Sequence, residues 1–502
     1  MTRNEEMASR EGWHYMNKGK VWLVGAGPGD TALITVKGLR AIKAAEVILY
    51  DRLVNPKLLD YAPANCEFIY CGKLPDRHTL RQEAINQLLV DKASEAATVV
   101  RLKGGDPGVF GRVGEEAAFL AEHEVPYEIV PGITSGIAAA MYAGVPVTHR
   151  EFGESFAVVT AHDKSADGKP ALNWEGIVKG IDTVAFYMGI ANLPFICEKL
   201  IEHGKAPETP VMLVQWGTYS RQKVLQGNLR NISELAVKEK FSNPSITLVG
   251  NIVFLREKLN WFEKKPLFGR QILLARSSSG ESELAERLAE RGADVIEFPK
   301  WKYEAEVPDE QLIKKLPDFK QILFTSPRSC NEFFQTLKEK KVDIRKVTAE
   351  LYGTSSTLKA IEKHGLTGLP KEQMEIDNSV LVVGESSILA HKLSYTQLFG
   401  TCGFWITGKQ QIDDKYLPLF ERILQETDID TVILPSSGSA RGLADALNKV
   451  GENIGSFLQG RQTLAMGRQT AAAVYDLHPG NVAVSELPTI ESIIQLAERI
   501  RP

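Results

Sequence analysis

Residues 21–51 read VWLVGAGPGDTALITVKGLRAIKAAEVILYD. The stretch begins with an apolar run, breaks at a glycine-rich segment, continues with a helical pattern of apolar residues and ends in a second apolar run before Asp51. Strand, glycine loop, helix and strand together make the βαβ unit of a parallel sheet. Ligands of such sheets bind outside the carboxyl ends of the strands. The sequence therefore predicts an α/β fold whose site includes the glycine loop and Asp51.

The glycine loop differs from the fingerprint of a dinucleotide-binding fold. That fingerprint has the spacing GxGxxG and a helix N-terminus open to pyrophosphate, whereas Pro28 here removes a backbone donor. Asp30 occupies the expected N-cap, where its carboxylate would repel a phosphate. A neutral or cationic ligand therefore fits this loop better than a nucleotide phosphate. A plain turn between strand and helix would look the same if the loop stood alone.

Two further strands of the same half open into loops of glycine and small residues. The predicted strand 98–103 is followed by GGDPGVFGR (104–112), and the predicted strand Tyr127–Val130 is followed by PGITS (131–135). Parallel strands present their carboxyl ends at one edge of a sheet, so the three loops indicate a nucleoside-sized pocket rather than three independent turns.

The composition excludes several functional classes. The 502 residues carry a formal net charge of −4 with 24% charged residues, which gives no sign of a nucleic-acid partner. The five cysteines form no CxxC pair, so reduced thiols and a cytoplasmic location are expected. No apolar run could span a bilayer, and residues 1–19 lack the apolar core of a signal peptide, so they are expected to form a loose leader.

The remaining chain divides into three further parts. Strand and helix patterns over residues 150–255 indicate a second α/β lobe, with Met188 and Gly217 at strand ends. Residues 256–268 are charged and contain a proline, which is typical of a linker that few contacts cross. Residues 269–502 repeat the alternation of strands and helices, and similar pairs of turns within them indicate two lobes that face each other.

Nine motifs of the first half occur in the order typical of one enzyme family. They are GAGPGD (25–30), YDRLV (50–54), CGK (71–73), RLKGGDP (101–107), VFGR (109–112), GEE (114–116), PGITS (131–135), PVTHR (146–150) and YMG (187–189). Residues 20–255 thereby resemble the uroporphyrinogen-III C-methyltransferases of the tetrapyrrole methylase superfamily. The resemblance implies a two-lobed α/β domain, a homodimer, and methylation of uroporphyrinogen III at C-2 and C-7 by S-adenosylmethionine. The product would be precorrin-2, for sirohaem and cobalamin biosynthesis.

The resemblance also assigns site residues by motif. Binding of S-adenosylmethionine falls on Pro28, Gly104, Gly105, Asp106, Val109, Thr134, Ser135, Met188 and Gly217. Asp51 is the implied base that removes a proton from the methylated pyrrole, and Lys73 is the implied proton donor or carboxylate anchor. Because the substrate carries several carboxylates, Arg101, Arg112 and Arg150 are predicted to clamp it. The resemblance implies no metal.

Residues 269–502 are similar to uroporphyrinogen-III synthase. The similarity rests on GRQILLAR (269–276), ILFTSPRSCNEFF (322–334), LYGTSSTLKAIEKHGL (351–366) and AMGRQTAAAVYDL (465–477). It implies closure of hydroxymethylbilane to uroporphyrinogen III with inversion of ring D and without a cofactor. One lobe is expected to comprise 269–303 and 408–502 and the other 304–407, with extended strands crossing between them.

Substrate binding in this half is predicted at strand ends that face the cleft between its lobes. The candidates are Ser326, Arg328, Thr354, Ser355 and Thr470, for which capping of the following helices is an equally good explanation. Trp405 stands where the family often has a tyrosine, and tryptophan cannot replace a phenolic proton donor. Two interpretations therefore stay open: a bifunctional enzyme, or an active methyltransferase whose second half is a degenerate binding module.

Two other functions fit the sequence less well. The complete YDRLV and RLKGGDP set argues against a methyltransferase of another corrinoid or of a diphthamide precursor. A nucleotide-binding oxidoreductase is disfavoured by Pro28 and Asp30, because the loop that contains them is poorly suited to a phosphate.

Overall fold

The computed structural model describes residues 18–72, 81–161, 168–375, 379–478 and 480–500. These ranges contain four five-stranded sheets and one two-stranded ribbon, with helices between most of the strands. No helix within them has the length and the apolar composition that a membrane span requires. The predicted α/β class, with a two-lobed half followed by a second two-lobed half, is confirmed.

The first sheet is parallel throughout and lies in the order β3-β2-β4-β1-β5. Its strands are β1 (Lys20–Gly25), β2 (Val47–Tyr50), β3 (Glu67–Tyr70), β4 (Thr98–Lys103) and β5 (Tyr127–Val130). The central strands are nearly continuous apolar runs because helices cover both faces of a parallel sheet. The strands β4, β1 and β5 are neighbours, so the three glycine-rich loops leave the sheet side by side, as predicted.

The second sheet is mixed and lies in the order β6-β7-β10-β8-β9. Its strands are β6 (Phe156–Thr160), β7 (Thr183–Tyr187), β8 (Pro210–Gln215), β9 (Lys223–Asn228) and β10 (Ser245–Val249). Only β6 and β7 pair in parallel among these strands, and the other neighbours are antiparallel. The final strand ends at Val249 because Gly250 has a φ of +147° and leads into the 3-10 helix Asn251–Leu255.

The second half contains two parallel sheets joined by an antiparallel ribbon. The strands are β11 (Gln271–Ala275), β12 (Asp294–Phe298), β13 (Trp301–Ala305), β14 (Gln321–Phe324), β15 (Glu350–Gly353), β16 (Gly368–Pro370), β17 (Val380–Gly384), β18 (Cys402–Ile406), β19 (Gly408–Ile412), β20 (Thr431–Leu434), β21 (Gln462–Ala465) and β22 (Val482–Val484). The sheet orders are β12-β11-β20-β21-β22 and β16-β15-β14-β17-β18. The ribbon β13-β19 carries the chain between the lobes, so the predicted division at 303 and 408 agrees with the structure.

Helices fill the connections between these strands. They span Val36–Lys43, Gln82–Glu95, Val113–Glu122, Ser135–Tyr142, Trp174–Gly180, Leu193–Glu202, Ile232–Lys238, Arg256–Leu259, Glu283–Glu290, Glu310–Lys314, Pro327–Glu339, Ser355–Lys363, Lys392–Phe399, Leu417–Glu426, Ser437–Lys449, Ile454–Leu458, Arg468–Leu477 and Ile490–Arg499. Two of them begin with the same capping box, formed by Ser326 with Ser329 and by Ser436 with Ser439. This repeat supports the predicted similarity of the two lobes.

The two halves of the chain share one apolar core. Buried residues of the first half, among them Leu58 and Leu59, belong to the same cluster as Phe420 of the second half. At the edge of this cluster the Lys300 Nζ lies 2.6 Å from an oxygen of Asp60. The expectation that few contacts would cross between the halves is therefore wrong, since burial of apolar surface joins them.

The segment 256–268 is packed against its surroundings rather than loose. The segment begins with the short helix Arg256–Leu259, and Phe262 and Leu267 are buried. The Glu263 carboxylate lies 2.7 Å from Arg256 Nη2 and accepts a 3.0 Å hydrogen bond from Gln222 Nε2. Some of the charged residues that indicated a linker, such as Glu263, thus form contacts with the first half.

The boundary near residue 255 stays a prediction, and the packing of the segment sharpens its test. A fragment of residues 1–268 keeps Phe262 and Glu263, whereas a fragment of residues 1–261 loses both. We expect the longer fragment to be more stable by about 2–4 kcal/mol, because it retains a buried ring and the partner of a half-buried arginine. Urea unfolding of both fragments measures the difference, with the exposed Lys264→Ala variant of 1–268 as the control. Equal midpoints for the two fragments would contradict this assignment.

Candidate active site

Backbone contacts bring the three glycine-rich loops of the first half together. The Gly27 amide donates to the Gly105 carbonyl at 3.1 Å, and the Gly105 amide donates to the Gly27 carbonyl at 2.7 Å. A Cβ on Gly132 would lie 2.3 Å from the Gly105 oxygen, and a Cβ on Gly25 would lie 2.6 Å from the Gly132 nitrogen. Only glycine permits this approach, so the loops expose backbone groups to a shared space.

Asp106 joins two of these loops. Its Oδ1 accepts a 2.7 Å hydrogen bond from the Gly108 amide, and its Oδ2 accepts a 2.9 Å hydrogen bond from the Gly132 amide. The family resemblance implies that Asp106 binds S-adenosylmethionine. Each carboxylate oxygen retains a further lone pair that can accept a hydrogen bond from this ligand. The structure adds a second task, which is to fix the loop after β4 against the loop after β5.

The second lobe closes over the same loops through Tyr187, the last residue of β7. The Tyr187 hydroxyl lies 2.5 Å from Thr134 Oγ1 and also accepts a hydrogen bond from the Gly136 amide. Its ring centroid lies 5.2 Å from that of Phe110, in an edge-to-face arrangement. Met188 follows with an exposed side chain and a left-handed φ of 57°. The predicted Thr134 and Met188 therefore belong to one site.

A loop after β8 brings Gly217 to the glycine loop after β1. A Cβ on Gly217 would lie 2.3 Å from the Ala139 Cβ, and the next residue, Thr218, accepts a 3.0 Å hydrogen bond from the Asp30 amide. The Asp30 carboxylate in turn accepts a 2.7 Å hydrogen bond from the Tyr142 hydroxyl. Burial and the Asp30 charge raise the pKa of Tyr142, so its hydroxyl stays protonated and donates.

Left-handed backbone conformations concentrate around this site. Eight non-glycine residues have a positive φ within the described chain. Five of them lie in the loops described above: Phe110, Arg112, Met188, Trp216 and Thr218. A left-handed conformation costs free energy for residues with a side chain. Such residues are therefore found mainly where surrounding contacts hold the backbone in place, as they often do at binding sites.

Asp51 is held by a buried network of charges. Its Oδ1 lies 2.6 Å from Arg101 Nη2, and Arg101 Nε lies 3.2 Å from the Glu116 Oε1, which also contacts Lys103 Nζ at 2.8 Å. Arg101 is only 2% exposed and Glu116 is fully buried, whereas the Asp51 side chain is 32% exposed. The network therefore fixes one carboxylate whose other side remains accessible.

The same network determines which of its members stay charged. Burial favours loss of the proton from Arg101, but Asp51 and Glu116 outweigh it and raise the pKa of the guanidinium. Burial and the neighbouring Arg101 cation lower the pKa of Lys103. The role of Arg101 as a substrate clamp stays a prediction, and in this structure its guanidinium is committed to two carboxylates of the chain itself.

The remaining predicted residues of the first half lie partly in the joined loops and partly at the surface. Pro28, Gly104 and Val109 belong to the joined loops, and Ser135 begins the helix Ser135–Tyr142. Arg112 lies 2.6 Å from Glu115, and Arg150 is exposed. Lys73 lies outside the described residues.

Arg328 spans the cleft between the lobes of the second half. Its Nη2 donates a 2.8 Å hydrogen bond to Ser279 Oγ of the opposite lobe. Its guanidinium carbon lies 4.9 Å from the ring centroid of Tyr303, which belongs to the ribbon strand β13. Arg328 is thus the predicted residue of this half with a cationic group in the cleft.

The other candidates of the second half have mixed surroundings. Ser326 caps its helix by accepting from the Ser329 amide at 3.1 Å, so the alternative explanation holds for it. Thr354 precedes a helix without capping it through its side chain, and Ser355 is exposed beside it. Thr470 is buried within the helix Arg468–Leu477. Their roles in substrate binding stay predictions.

Trp405 lies in an apolar core rather than in the cleft. It is fully buried on β18, and its ring centroid lies 4.7 Å from that of Phe333. The presence of tryptophan in place of tyrosine therefore bears on packing within the lobe 304–407. The expectation that this difference weakens the chemistry loses its geometric basis.

Sequence reasoning missed four residues that shape the first site. Tyr187 and Glu116 stand inside the YMG and GEE motifs, so those motifs could have indicated them. Tyr142 and Thr218 carry no local signal, because their partner Asp30 is distant in sequence.

Comparisons with known proteins identify two families along the chain. Two family descriptions match, Tetrapyrrole (Corrin/Porphyrin) Methylases over residues 20–233 and Uroporphyrinogen-III synthase HemD over residues 259–378. The uroporphyrinogen-III C-methyltransferase of Bacillus subtilis (strain 168) is 45% identical over 478 residues, which cover 94% of this chain and 95% of that protein. This chain belongs to the uroporphyrinogen-III C-methyltransferase family. The resemblance stated from its motifs is confirmed.

Two further relatives match the first half alone. The uroporphyrinogen-III C-methyltransferase of Priestia megaterium is 56% identical over 235 residues, which cover 47% of this chain and 98% of that protein. A crystal structure of the Thermus thermophilus uroporphyrin-III C-methyl transferase complexed with S-adenyl homocysteine is 37% identical, with a TM-score of 0.41. The alignment covers 47% of this chain and 100% of that one.

The bridging role of Asp106 generates a direct test. We expect Asp106→Ala to weaken binding of S-adenosylmethionine at least tenfold, because two loop amides lose a charged acceptor worth about 1.5–3 kcal/mol each. Asp106→Asn keeps one acceptor oxygen, so its affinity for S-adenosylmethionine should lie between those of Asp106→Ala and the wild type. Calorimetric titration measures all three, with Asp91→Ala on the exposed helix surface as the control. Wild-type affinity in Asp106→Ala would contradict the role.

Proposed function

We propose that the chain is bifunctional. Its first half methylates uroporphyrinogen III at C-2 and C-7 with S-adenosylmethionine to give precorrin-2, and its second half closes hydroxymethylbilane to uroporphyrinogen III. The observation that carries the methyltransferase assignment is the meeting of three glycine loops next to an accessible carboxylate, Asp51, with a buried cationic partner. A homodimer formed by the first half and a cytoplasmic location belong to the same proposal and rest on the family resemblance.

The joined loops fit a ligand without phosphate. They offer backbone amides and carbonyls, and the nearest acidic side chains, Asp30 and Asp106, would repel a phosphate. S-adenosylmethionine has a sulfonium cation, a ribose and an adenine, and when bound it supplies the methyl group. The residues that would hold it are Pro28, Gly104, Gly105, Asp106, Val109, Thr134, Ser135, Met188 and Gly217.

Asp51 is suited to act as the base. Transfer of the methyl cation to a substituted ring carbon leaves the pyrrole positively charged, so the methylated ring system must lose a proton from another position, and the accessible Asp51 carboxylate can accept it. The loop that follows Asp51 reaches the donor loops, since a Cβ on Gly104 would lie 3.0 Å from the Leu53 Cβ. Arg101 orients the carboxylate and stays cationic throughout, because two carboxylates raise its pKa. Lys73, which lies outside the described residues, is proposed from the family resemblance as proton donor or carboxylate anchor.

Substrate carboxylates need cations at the rim of the site. Arg112 and Arg150 have solvent-accessible side chains and can bind carboxylates in a bidentate manner. Arg112 would have to exchange its contact with Glu115, a surface ion pair that contributes only about 0–1 kcal/mol. Replacement of the Glu115 contact by a contact with a substrate carboxylate therefore costs little free energy.

Ring closure in the second half would use the cleft that Arg328 spans. Its guanidinium is a fixed cation between the lobes and can hold a carboxylate of the linear substrate in place. The chemistry needs the two ends of that substrate to be brought together, so positioning supplies much of the rate. Ser326, Thr354, Ser355 and Thr470 are proposed to assist with hydroxyl and amide donors at the strand ends.

The base assignment has a simple test. We expect Asp51→Ala to reduce methyl transfer to uroporphyrinogen III by about two orders of magnitude or more, the usual contribution of a positioned base. Affinity for S-adenosylmethionine should stay within about threefold of wild type, because no donor-loop contact is removed. Labelled methyl transfer and calorimetry measure the two quantities, again with Asp91→Ala as the control. A loss of turnover below tenfold would make Asp51 a structural residue.

The isomer of uroporphyrinogen tests the second activity. Hydroxymethylbilane closes spontaneously to the type I isomer, so we expect the full chain to yield mainly type III. Arg328→Ala should shift the product towards type I, because the cleft loses its cation. Trp405→Phe is the control, since this buried position should change stability and leave the isomer ratio unchanged. Type I alone from the wild type would favour the degenerate binding module.

A further inference from the structure

A cavity of about 160 Å³ lies between the two halves of the chain. One wall is the loop Arg52–Lys57, directly after Asp51, and a second is the loop Trp216–Arg221, which contains Gly217. The opposite wall is formed by the second half, through strand β12 and the helix Leu417–Glu426. Neither half encloses this space alone. The cavity adjoins the loop that follows Asp51 and the loop that contains Gly217.

Arg422, on the helix Leu417–Glu426, lines the cavity and is buried to all but 8% of its surface. Its guanidinium carbon lies 4.3 Å from the ring centroid of Tyr70 and 5.5 Å from that of Tyr50. Its Nε and Nη1 have no hydrogen-bond partner among the residues the structure describes, and none of those residues forms an ion pair with it. A buried cation without an anion is costly, and no residue in the described ranges supplies that anion.

Two further arginines face the same space. Arg221 stacks on Trp216, with 4.0 Å from guanidinium carbon to ring centroid, and its buried Nε has no partner within the described ranges. Arg52 lines the cavity from the loop after Asp51 and is exposed. Lys57 is already engaged, since its Nζ lies 3.4 Å from Glu297. Arg221 Nη1 donates a 3.4 Å hydrogen bond to the Glu426 carbonyl. Arg422, at Nε and Nη1, and Arg52 are thus the lining arginines without a hydrogen bond to another described residue.

Three acidic residues also line the cavity, and none of them forms an ion pair with Arg422 where the structure describes the chain. Asp294 accepts hydrogen bonds from the Ser220 amide and from Gln271 Nε2, both at 2.9 Å. Asp30 is engaged by Tyr142, as described above. Glu426 also lines the cavity, and no ion pair joins it to an arginine in the described part of the chain. The lining therefore carries charges of both signs, and the unpaired guanidinium of Arg422 is its buried cation.

We propose that this cavity is an oxyanion-binding site shared by the two halves. Its volume of about 160 Å³ is sufficient for one carboxylate arm or a phosphate. Arg422 and Arg221 provide planar donors that match carboxylate and phosphate geometry. The carboxylate arm of a tetrapyrrole held at Asp51 is one source and a free phosphate is the other. The first source rests on the proposed function, whereas the oxyanion chemistry does not.

The test uses thermal unfolding and calorimetry of the full chain in Tris chloride. Inorganic phosphate, succinate and uroporphyrin III are the three probes. Arg422→Met removes the charge while filling the space, and Arg461→Met is its matched control. Arg461 also stacks on an aromatic ring, that of Phe457, but it donates to the Ile429 carbonyl at 3.0 Å instead of facing the cavity.

We expect phosphate and succinate to raise the melting temperature of the wild type with saturation. Arg422→Met should be at least as stable as the wild type without these anions, since an unpaired buried cation is gone, and should bind them at least tenfold more weakly. Arg461→Met should be less stable and respond to anions like the wild type. Glu426→Gln should bind them about threefold more tightly, because a competing negative charge is removed.

Uroporphyrin III distinguishes the two sources of the anion. A weaker affinity of Arg422→Met for uroporphyrin III assigns the site to a tetrapyrrole arm, and an unchanged affinity together with lost phosphate binding assigns it to a free anion. No saturable anion response in the wild type, or a wild-type response in Arg422→Met, would overturn the proposal. These binding results are independent of methyl transfer, so failure of the base assignment in Asp51→Ala would leave them interpretable.

Discussion

Direct backbone contact between the glycine loops is the constraint on which the rest of the first half depends. Gly27 and Gly105 exchange two hydrogen bonds, and Gly132 lies so close that a Cβ would overlap the Gly105 carbonyl. The approach is possible because β4, β1 and β5 are neighbours in one parallel sheet. Asp106 then fixes the loops with a charge, and the second lobe closes on them through Tyr187. Main-chain contacts between the glycine loops thus determine the shape of the site, and the side chains of Asp106 and Tyr187 stabilise it.

Charge is arranged differently at the two sides of Asp51. On one side Arg101 and Glu116 are buried and ion-paired. Because water cannot reach them, their charges are compensated by these contacts alone, which fixes the positions of both side chains. On the other side the Asp51 carboxylate is accessible, and the next residue, Arg52, leads into a cavity lined by arginines. A carboxylate that is paired with a buried cation on one side and lies close to unpaired arginines on the other fits the proposed substrate, which carries many carboxylates.

The two halves depend on each other structurally. Asp294 of the second half accepts from the amide of Ser220, three residues after Gly217 in the donor loop, and the segment 256–268 packs between them. Removal of either half would expose the apolar surface that joins them. The second half therefore supports the loop that contains Gly217, which is proposed to bind S-adenosylmethionine.

The sequence by itself determined the features that have a local physical cause. Apolar periodicity predicted the strands and helices, and the position of glycine and small residues after β1, β4 and β5 predicted a site at one sheet edge. Motif order predicted the family. Only the tertiary structure decided that Arg101 is buried against Asp51, that Trp405 belongs to a core, and that Arg422 faces a cavity between the halves. These features arise from contacts between residues far apart in the chain, and no local pattern specifies which partners burial will bring together.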